Sequence, residues 1–576
     1  MKKISPSAFL RSRFPLALLA GLVLAMAFPK IGIAGFAWIA PGLILATALG
    51  KRGAETFRIG YVAGLAHYLG SLYWLLNIPV TGFPILGWIA LAMFLALFPA
   101  TWVWLTIKSL PTTRHSSLDW LTAAREISKT GWAQRASWAL RAAATWVALE
   151  MLLARIFTGF PWNLLGESQY RIVPLIQFAS FTGIYGVSFL IVWTSISLLC
   201  GFAAILGKPS QRSPWMGEII LPFTAVFIAM FYGFHQLAHS SPHPREVKVA
   251  LVQPGIPQTM IWDENQNRER FQELMQLSEN ALESHVDVLI WPEAALPGTP
   301  FDENGQIGEP IADLARRHNA WLIIGGDDVE PHPAETNYFN ASFLINPEGK
   351  LAERYHKRGL VIFGEYIPLV RWLPFIKWFT PITGSYTAGT TPVQFKLWHT
   401  SEREAHVHLD LVNNSMTVAN TNLQTSVLIC FEDVFPHLSR KSVEPDTDFL
   451  VNITNDGWFG EGAAQWQQAA AATFRAIENG VPLIRCANTG ITCWIDPTGR
   501  WQQVFTDKSG SVYGVGFMIS TIPLPDKHPE TFYNQHGDWF GWACVAFALI
   551  VLCPRQLLQR PSRKSENMSS DPITHN

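Results

Sequence analysis

Charge is scarce in this sequence: Asp, Glu, Lys and Arg make up 15% of its 576 residues, against about 25% in soluble domains. The formal net charge is −1. There is no basic excess with which to hold a nucleic acid, and none is expected as a partner. Cysteine is scarce too. The six present, Cys200, Cys430, Cys486, Cys493, Cys544 and Cys553, are too scattered for a disulfide scaffold. No CxxC or Cys/His cluster has metal-ligand spacing, so neither a metal nor another cofactor is expected.

Apolar residues are plentiful, at 49% with 24 Trp, which excludes a disordered chain. A mean hydropathy of +0.16 is nevertheless too low for a chain that is membrane throughout. Two materials share the polypeptide. Apolar, nearly charge-free runs follow Arg13 to Phe28 and cover Ile31–Gly50, Gly60–Ile107 (interrupted at Asn77–Pro84), Ala136–Phe157, Ile172–Gly207, Ile219–Leu237 and Trp539–Cys553. A bilayer core of ~30 Å needs about 20 helical residues. Seven spans are therefore expected before residue 245 and one after the globular part. The basic start followed by an apolar run also fits a signal peptide, but a second apolar run follows so closely that a helical hairpin is the better reading.

Lys and Arg alternate between successive connections, dense at the N-terminus, at 51–58, 108–135 and 208–212 and in the tail. The positive-inside rule then puts both termini in the cytoplasm and residues 245–525 outside, on the periplasmic face of an inner membrane. Within the fifth run lies Glu150, with Arg155 beyond it. A substrate or headgroup contact and an ion pair near a helix end both account for an intramembrane carboxylate.

From Val247 the pattern changes to short β-branched runs between helical stretches. Strands are expected at Val247–Gln253, Val286–Trp291, Trp321–Gly326, Tyr338–Asn346, Ser426–Glu432, Phe449–Thr454, Leu483–Ala487 and Thr492–Ile495. Helices are expected at Asn267–Ser284, Ile311–His318 and Ala463–Asn479, giving an α/β domain. Glu293 follows one apolar strand, Cys430 ends another, and Lys357 precedes Glu365 in a glycine-containing stretch. A carboxylate base, an ammonium and a thiol are the parts of a cysteine-nucleophile site. Singly, each has a plainer structural reading: a buried Cys, a carboxylate at a helix start, a surface Lys.

The conjunction and order of Glu293, Lys357 and Cys430 resemble the nitrilase superfamily, whose members carry a Glu-Lys-Cys triad on an αββα sandwich. The whole chain resembles the membrane-integrated branch that N-acylates bacterial lipoproteins. The supporting motifs are Phe160-Pro-Trp162, Leu251–Pro257 followed by Trp262, Lys357 to Glu365, Asn455–Gly460, Arg475–Glu478 and Asn488–Ile491. Two features depart from that pattern. Ile362 stands where Pro is common, and the Lys108–Arg135 connection is long, with Leu118–Ile127 reading as a cytoplasmic surface helix.

The resemblance implies a polytopic α-helical bundle (1–244), a nitrilase-like sandwich (245–525) and a C-terminal span with a cytoplasmic tail (526–576). It implies a monomer that moves an acyl chain from a phospholipid to Cys430 as a thioester, then to the N-terminal amine of a diacylglyceryl-cysteine apolipoprotein. Glu293 is then the base, and Lys357 the oxyanion charge, with the Phe431 N–H as a second donor. Glu365 orients Lys357. Glu432 either positions the site or makes a surface ion pair. The stretch Leu369–Thr380, with Trp372, Phe375, Trp378 and Phe379, reads as an interfacial arm or lid, or else as a core segment. Cys486 and Cys493 read as buried strand residues. Two rival readings are a membrane-tethered amidase acting on a small amide, and a transporter or lipid-binding protein whose globular domain has lost catalysis.

Overall fold

The computed structural model describes residues 13–79, 83–111, 119–207, 216–239, 245–261, 263–302, 304–331, 336–368, 385–397, 408–410, 415–417, 422–525 and 530–552. Helices occupy each of the eight apolar runs. Three of them, Pro84–Lys108, Ile184–Leu206 and Met216–Ala238, are long and apolar enough to cross a bilayer. Phe14–Ala25, Ala34–Ala48 and Trp539–Val551 are shorter apolar helices. Ala54–Ser71 and Trp132–Leu153 complete the bundle. On Met216–Ala238, Phe227, Phe231 and Phe234 stay exposed, as suits a helix surrounded by lipid.

Two expectations need correction here. The run Ile172–Gly207 is not one helix, because Gly183 at φ +68° breaks it and the long helix starts at Ile184. The segment before the break folds as two short helices, Val173–Ile176 and Ala179–Thr182. The expected cytoplasmic surface helix is Trp120–Lys129, started by the Asp119 side chain accepting from Thr122 N at 3.0 Å. It is not a free surface element: Ala123, Ala124 and Ile127 are buried, packed with the bundle.

Two six-stranded sheets follow. The strands are β1 (Arg245–Gln253), β2 (Val288–Ile290), β3 (Trp321–Glu330), β4 (Asn337–Ile345), β5 (Leu351–His356), β6 (Gln394–Leu397), β7 (His408–Asp410), β8 (Ser415–Thr417), β9 (Leu423–Ile429), β10 (Phe449–Thr454), β11 (Leu483–Ala487), β12 (Cys493–Ile495), β13 (Trp501–Val504) and β14 (Gly516–Leu524). One sheet runs β14-β1-β2-β3-β4-β5 and the other β13-β12-β11-β10-β9-β6, with β7 and β8 a separate pair. Each has three parallel strands at its centre (β1-β2-β3 and β9-β10-β11) and antiparallel strands at its margins.

The sheets face each other across one core, where Val249, Ile290 and Ile323 meet Val427, Val451 and Ile484. Helices Asn267–Leu282 and Glu309–His318 cover the first sheet, and Ala464–Asn479 covers the second. Parallel strands buried on both faces read as continuous apolar runs, which is why β10 and β11 match their expected bounds. Helix Ala464–Asn479 is buried all round except at Trp466. Its Ala469, Ala472 and Ala476 face the sheet, while Ala470, Phe474 and Ile477 join the core of the membrane bundle. The sandwich is thus docked on the bundle by its own outer layer.

Candidate active site

Strands deliver the reactive groups from their C-terminal ends, three of them central and one, β5, at a sheet edge. Glu293 follows β2, Cys430 follows β9, Asn455 follows β10, and Lys357 directly follows β5. The strand expected at Ser426–Glu432 stops at Ile429, and Cys430 opens a tight turn with φ +52°. A non-glycine residue in that region is uncommon and strained, and here it turns the thiol out of the strand direction. Ala294, just after Glu293, is also left-handed at φ +55°. Gly325 on β3 makes room for this second turn, since a Cβ there would lie 2.5 Å from Pro292 O.

Lys357 is buried between two carboxylates, its Nζ 3.1 Å from Glu293 Oε1 and 2.8 Å from Glu365 Oε1. Asn340 on β4 donates from Nδ2 to the same two oxygens, at 2.8 Å each. Glu293 Oε2 accepts from Asn455 N at 3.1 Å and Glu365 Oε2 from Val361 N at 2.8 Å. Burial alone works against the Lys357 charge, but the two carboxylates outweigh it and hold its pKa well above the ordinary lysine range. The pKa of the Cys430 thiol is pushed up as well, first by burial and then by the Glu293 charge, with Lys357 opposing both. At rest the nucleophile is therefore a thiol beside a carboxylate, not a standing thiolate.

Glu432 makes no surface ion pair. It is fully buried and accepts from Ile429 N, Arg358 N and Gly359 N at 2.7, 2.7 and 2.9 Å, and from the Tyr355 hydroxyl. It ties the Cys430 turn to the loop that carries Lys357. Beneath the turn, the Cys430 carbonyl accepts from Asn452 Nδ2 and Gln468 Nε2, both at 2.9 Å. Arg485, fully buried, joins Asp433, Asn452 and Asp456. Phe431 packs against Phe160, Trp162 and Phe435.

The noted motifs meet around this centre. Asn455 Nδ2 donates to Gln258 Oε1 at 2.8 Å, and Asn488 Nδ2 donates to Asn455 Oδ1 at 3.1 Å. Arg475 donates to Val434 O at 3.2 Å, while Glu478 accepts from Ile184 N, at the start of a long bundle helix, at 2.8 Å. Cys486 and Cys493 are buried on β11 and β12 as expected. Arg155 does not pair with Glu150. Its partner is Asp538, while Glu150 Oε1 accepts from Trp146 Nε1 and Leu165 N.

Trp262, Trp372, Phe375, Trp378 and Phe379 lie outside the described residues. Asn340, Tyr355 and Gln467 are absent from the sequence reading. Asn340 had a signal, an amide inside the apolar run Tyr338–Ile345. Gln467 had none: it accepts at Oε1 from Trp74 and Trp162 and donates from Nε2 to Pro29 O and Ser71 O, contacts with no local pattern.

Residues 248–513 match the carbon-nitrogen hydrolase family, and residues 20–197 match the apolipoprotein N-acyltransferase N-terminal domain. An apolipoprotein N-acyltransferase of Geobacter metallireducens is 34% identical over 553 residues, covering 94% of this chain and 95% of that protein. One from Rickettsia prowazekii is 29% identical over 495 residues, covering 86% and 88%. Among solved structures, Saccharomyces cerevisiae Nit3, a nitrilase-superfamily member, is 16% identical with a TM-score of 0.34, over 52% of this chain and 98% of that one.

Proposed function

Because the chain belongs to the apolipoprotein N-acyltransferase family, we propose that it moves a fatty acyl chain from a phospholipid, through a Cys430 thioester, to the N-terminal amine of a diacylglyceryl-cysteine lipoprotein. The observation that carries this reading is the placement of Cys430. It is grouped electrostatically with Glu293, Lys357 and Glu365, and the next residue, Phe431, is packed on the membrane bundle.

Glu293 takes the thiol proton as sulfur attacks the ester carbonyl. Lys357 and the Phe431 N–H stabilise the oxyanion, and collapse expels the lysophospholipid oxygen, which takes the proton back from Glu293. The amine then attacks the thioester, Glu293 accepts its proton, and the thiol is regenerated. Splitting the transfer in two replaces an unreactive ester by a thioester, which an amine attacks more readily. Lys357 places one positive charge between two carboxylates that would otherwise repel each other, and Asn340 donates a hydrogen bond to each. This supports Glu365 as the group that orients Lys357, and Glu432 as a positioning residue.

Both termini then lie in the cytoplasm, with the sandwich on the periplasmic side of the inner membrane, as the Lys/Arg alternation supports. The protein works as a monomer. An amidase acting on a small amide would leave the match over 20–197 without a purpose. The test is a synthetic diacylglyceryl-cysteine peptide supplied with phospholipid vesicles and purified protein. A gain of one acyl mass at the peptide amine is expected. Hydrolysis of the phospholipid without peptide acylation would contradict the reading.

A further inference from the structure

Inside the bundle lies a narrow cleft of about 40 Å³, between helices Ala54–Ser71, Leu97–Lys108 and Trp132–Leu153 and the turn at Asn163–Leu165. Its walls are apolar, among them Leu24, Phe28 and Trp102. Three polar side chains interrupt them. His67, Glu150 and Asn163 are 3%, 7% and 7% exposed. Both amide atoms of Asn163 and the Nδ1 of His67 have no hydrogen-bond partner. The Ser188 hydroxyl is placed to donate to Glu150, whose Oε2 still keeps acceptor capacity. The bare amide and imidazole atoms are costly in an apolar interior, and their convergence on one cleft calls for a ligand.

We infer that this cleft binds the hydroxyl head of a single-chain amphiphile. A hydroxyl offers one donor and two acceptor lone pairs. It satisfies Glu150 Oε2 or Asn163 Oδ1 with its proton and accepts from Asn163 Nδ2. An ester has no proton to give and leaves the acceptors bare. A cleft of this size takes the head alone, and the chain runs out past half-buried Phe98, Trp146 and Leu149, between the helices. The cleft is distinct from the thiol site but next to it: Tyr68 and Leu153 line the cleft and also pack in the cluster that holds Trp162 and Phe431. A lysophospholipid with a newly freed hydroxyl is one such amphiphile. That link rests on the proposed acyl transfer; the binding does not.

The test uses the full chain carrying Cys430→Ala in lipid nanodiscs, so that no acyl transfer is involved. The probe is a monoacylglycerol with a diazirine in its chain, compared with the same compound methylated at both hydroxyls. Photolabelling of the free alcohol is expected in peptides containing His67, Trp146–Leu153 and Asn163, with the ether labelling these about ten-fold less, the effect of losing roughly 1.4 kcal/mol of hydrogen bonding. Asn163→Gly removes the amide and preserves the left-handed backbone at φ +59°. Glu150→Gln keeps an acceptor for Trp146 and Leu165. Each should lower alcohol labelling several-fold and leave the ether unchanged. The alcohol–ether comparison needs neither variant to fold. Equal labelling by alcohol and ether, labelling confined to lipid-facing residues such as Phe227, or density in the cleft for ordered water alone would overturn the inference.

Discussion

The ring of Phe431, the residue after Cys430, is stacked on that of Trp162 in the membrane bundle, with centroids 6.4 Å apart and planes 26° from parallel. Trp162 is also held from the sandwich side, its Nε1 donating to Gln467 Oε1 at 2.7 Å. The turn that carries the nucleophile and the bundle therefore share one packed unit. Trp162→Phe keeps a ring and leaves Gln467 Oε1 its second donor, Trp74. It should retain most acyl-enzyme formation. Trp162→Ala opens a cavity worth about 3–5 kcal/mol. It should lower both the thermal midpoint and the rate of acylation from vesicles. A Trp162→Ala variant that acylates at the normal rate would show that the turn is set by the sandwich alone.

Lys357 has structural as well as chemical weight. Lys357→Met strands two buried carboxylates, a loss of about 3–5 kcal/mol, and removes an oxyanion charge worth about 3–4 kcal/mol of barrier. Adding Glu365→Gln should restore much of the stability, measured by thermal unfolding, and none of the acyl transfer. Recovery of both together would mean that Lys357 serves only to neutralise charge.

The Cys430 thiol gives a pH prediction with an unusual sign. Glu293 raises its pKa, so Glu293→Gln should move the onset of iodoacetamide alkylation to lower pH while acylation by phospholipid falls. An unchanged onset would place Glu293 too far from the thiol to act on it.

Glu478, at the junction with the bundle, has its carboxyl pushed up from 4.5 to about 7, chiefly by burial and against the pull of Arg475. A carboxyl with a raised folded pKa binds its proton more tightly folded than unfolded. Its stabilisation is complete below about pH 4.5 and is lost as pH rises through about 7. Thermal midpoints should fall across that window, and Glu478→Gln should flatten the fall. An equal slope in the variant would assign the pH dependence elsewhere.

Much of this was legible in the residues, and for different reasons. Runs such as Phe449–Thr454 and Leu483–Ala487 are buried on both faces and mostly apolar, interrupted by Asn452, Thr454 and Arg485, so composition largely marks them. β5, β13 and β14 alternate or carry charge at the sheet margins, as in Leu351-Ala-Glu-Arg354, and composition does not separate them from loops. Glu293, Lys357 and Cys430 were legible as a set, since chemistry restricts which residue types serve. Gln467 was not, because a hydrogen bond across 305 residues leaves no trace in local pattern. The pairing of Arg155 with Asp538 rather than Glu150 belongs to the same class.

The proposed orientation is checked with Asp302, an exposed loop residue of the sandwich. Asp302→Cys should react with an impermeant thiol reagent in cells whose outer membrane alone is permeabilised. Reaction only after the inner membrane is broken would place the sandwich in the cytoplasm.

The central claim is that the acyl chain rests on Cys430 between donor and acceptor. Purified protein mixed with phospholipid vesicles, with no acceptor, should accumulate one acyl equivalent, and peptide mass mapping should place it on Cys430. Cys430→Ala should carry none, whereas Cys486→Ala and Cys493→Ala, altered at buried strand positions, should carry the normal amount. An acyl mass on Cys486 or Cys493, or transfer to the lipoprotein amine with no acyl-enzyme at any stage, would contradict the account.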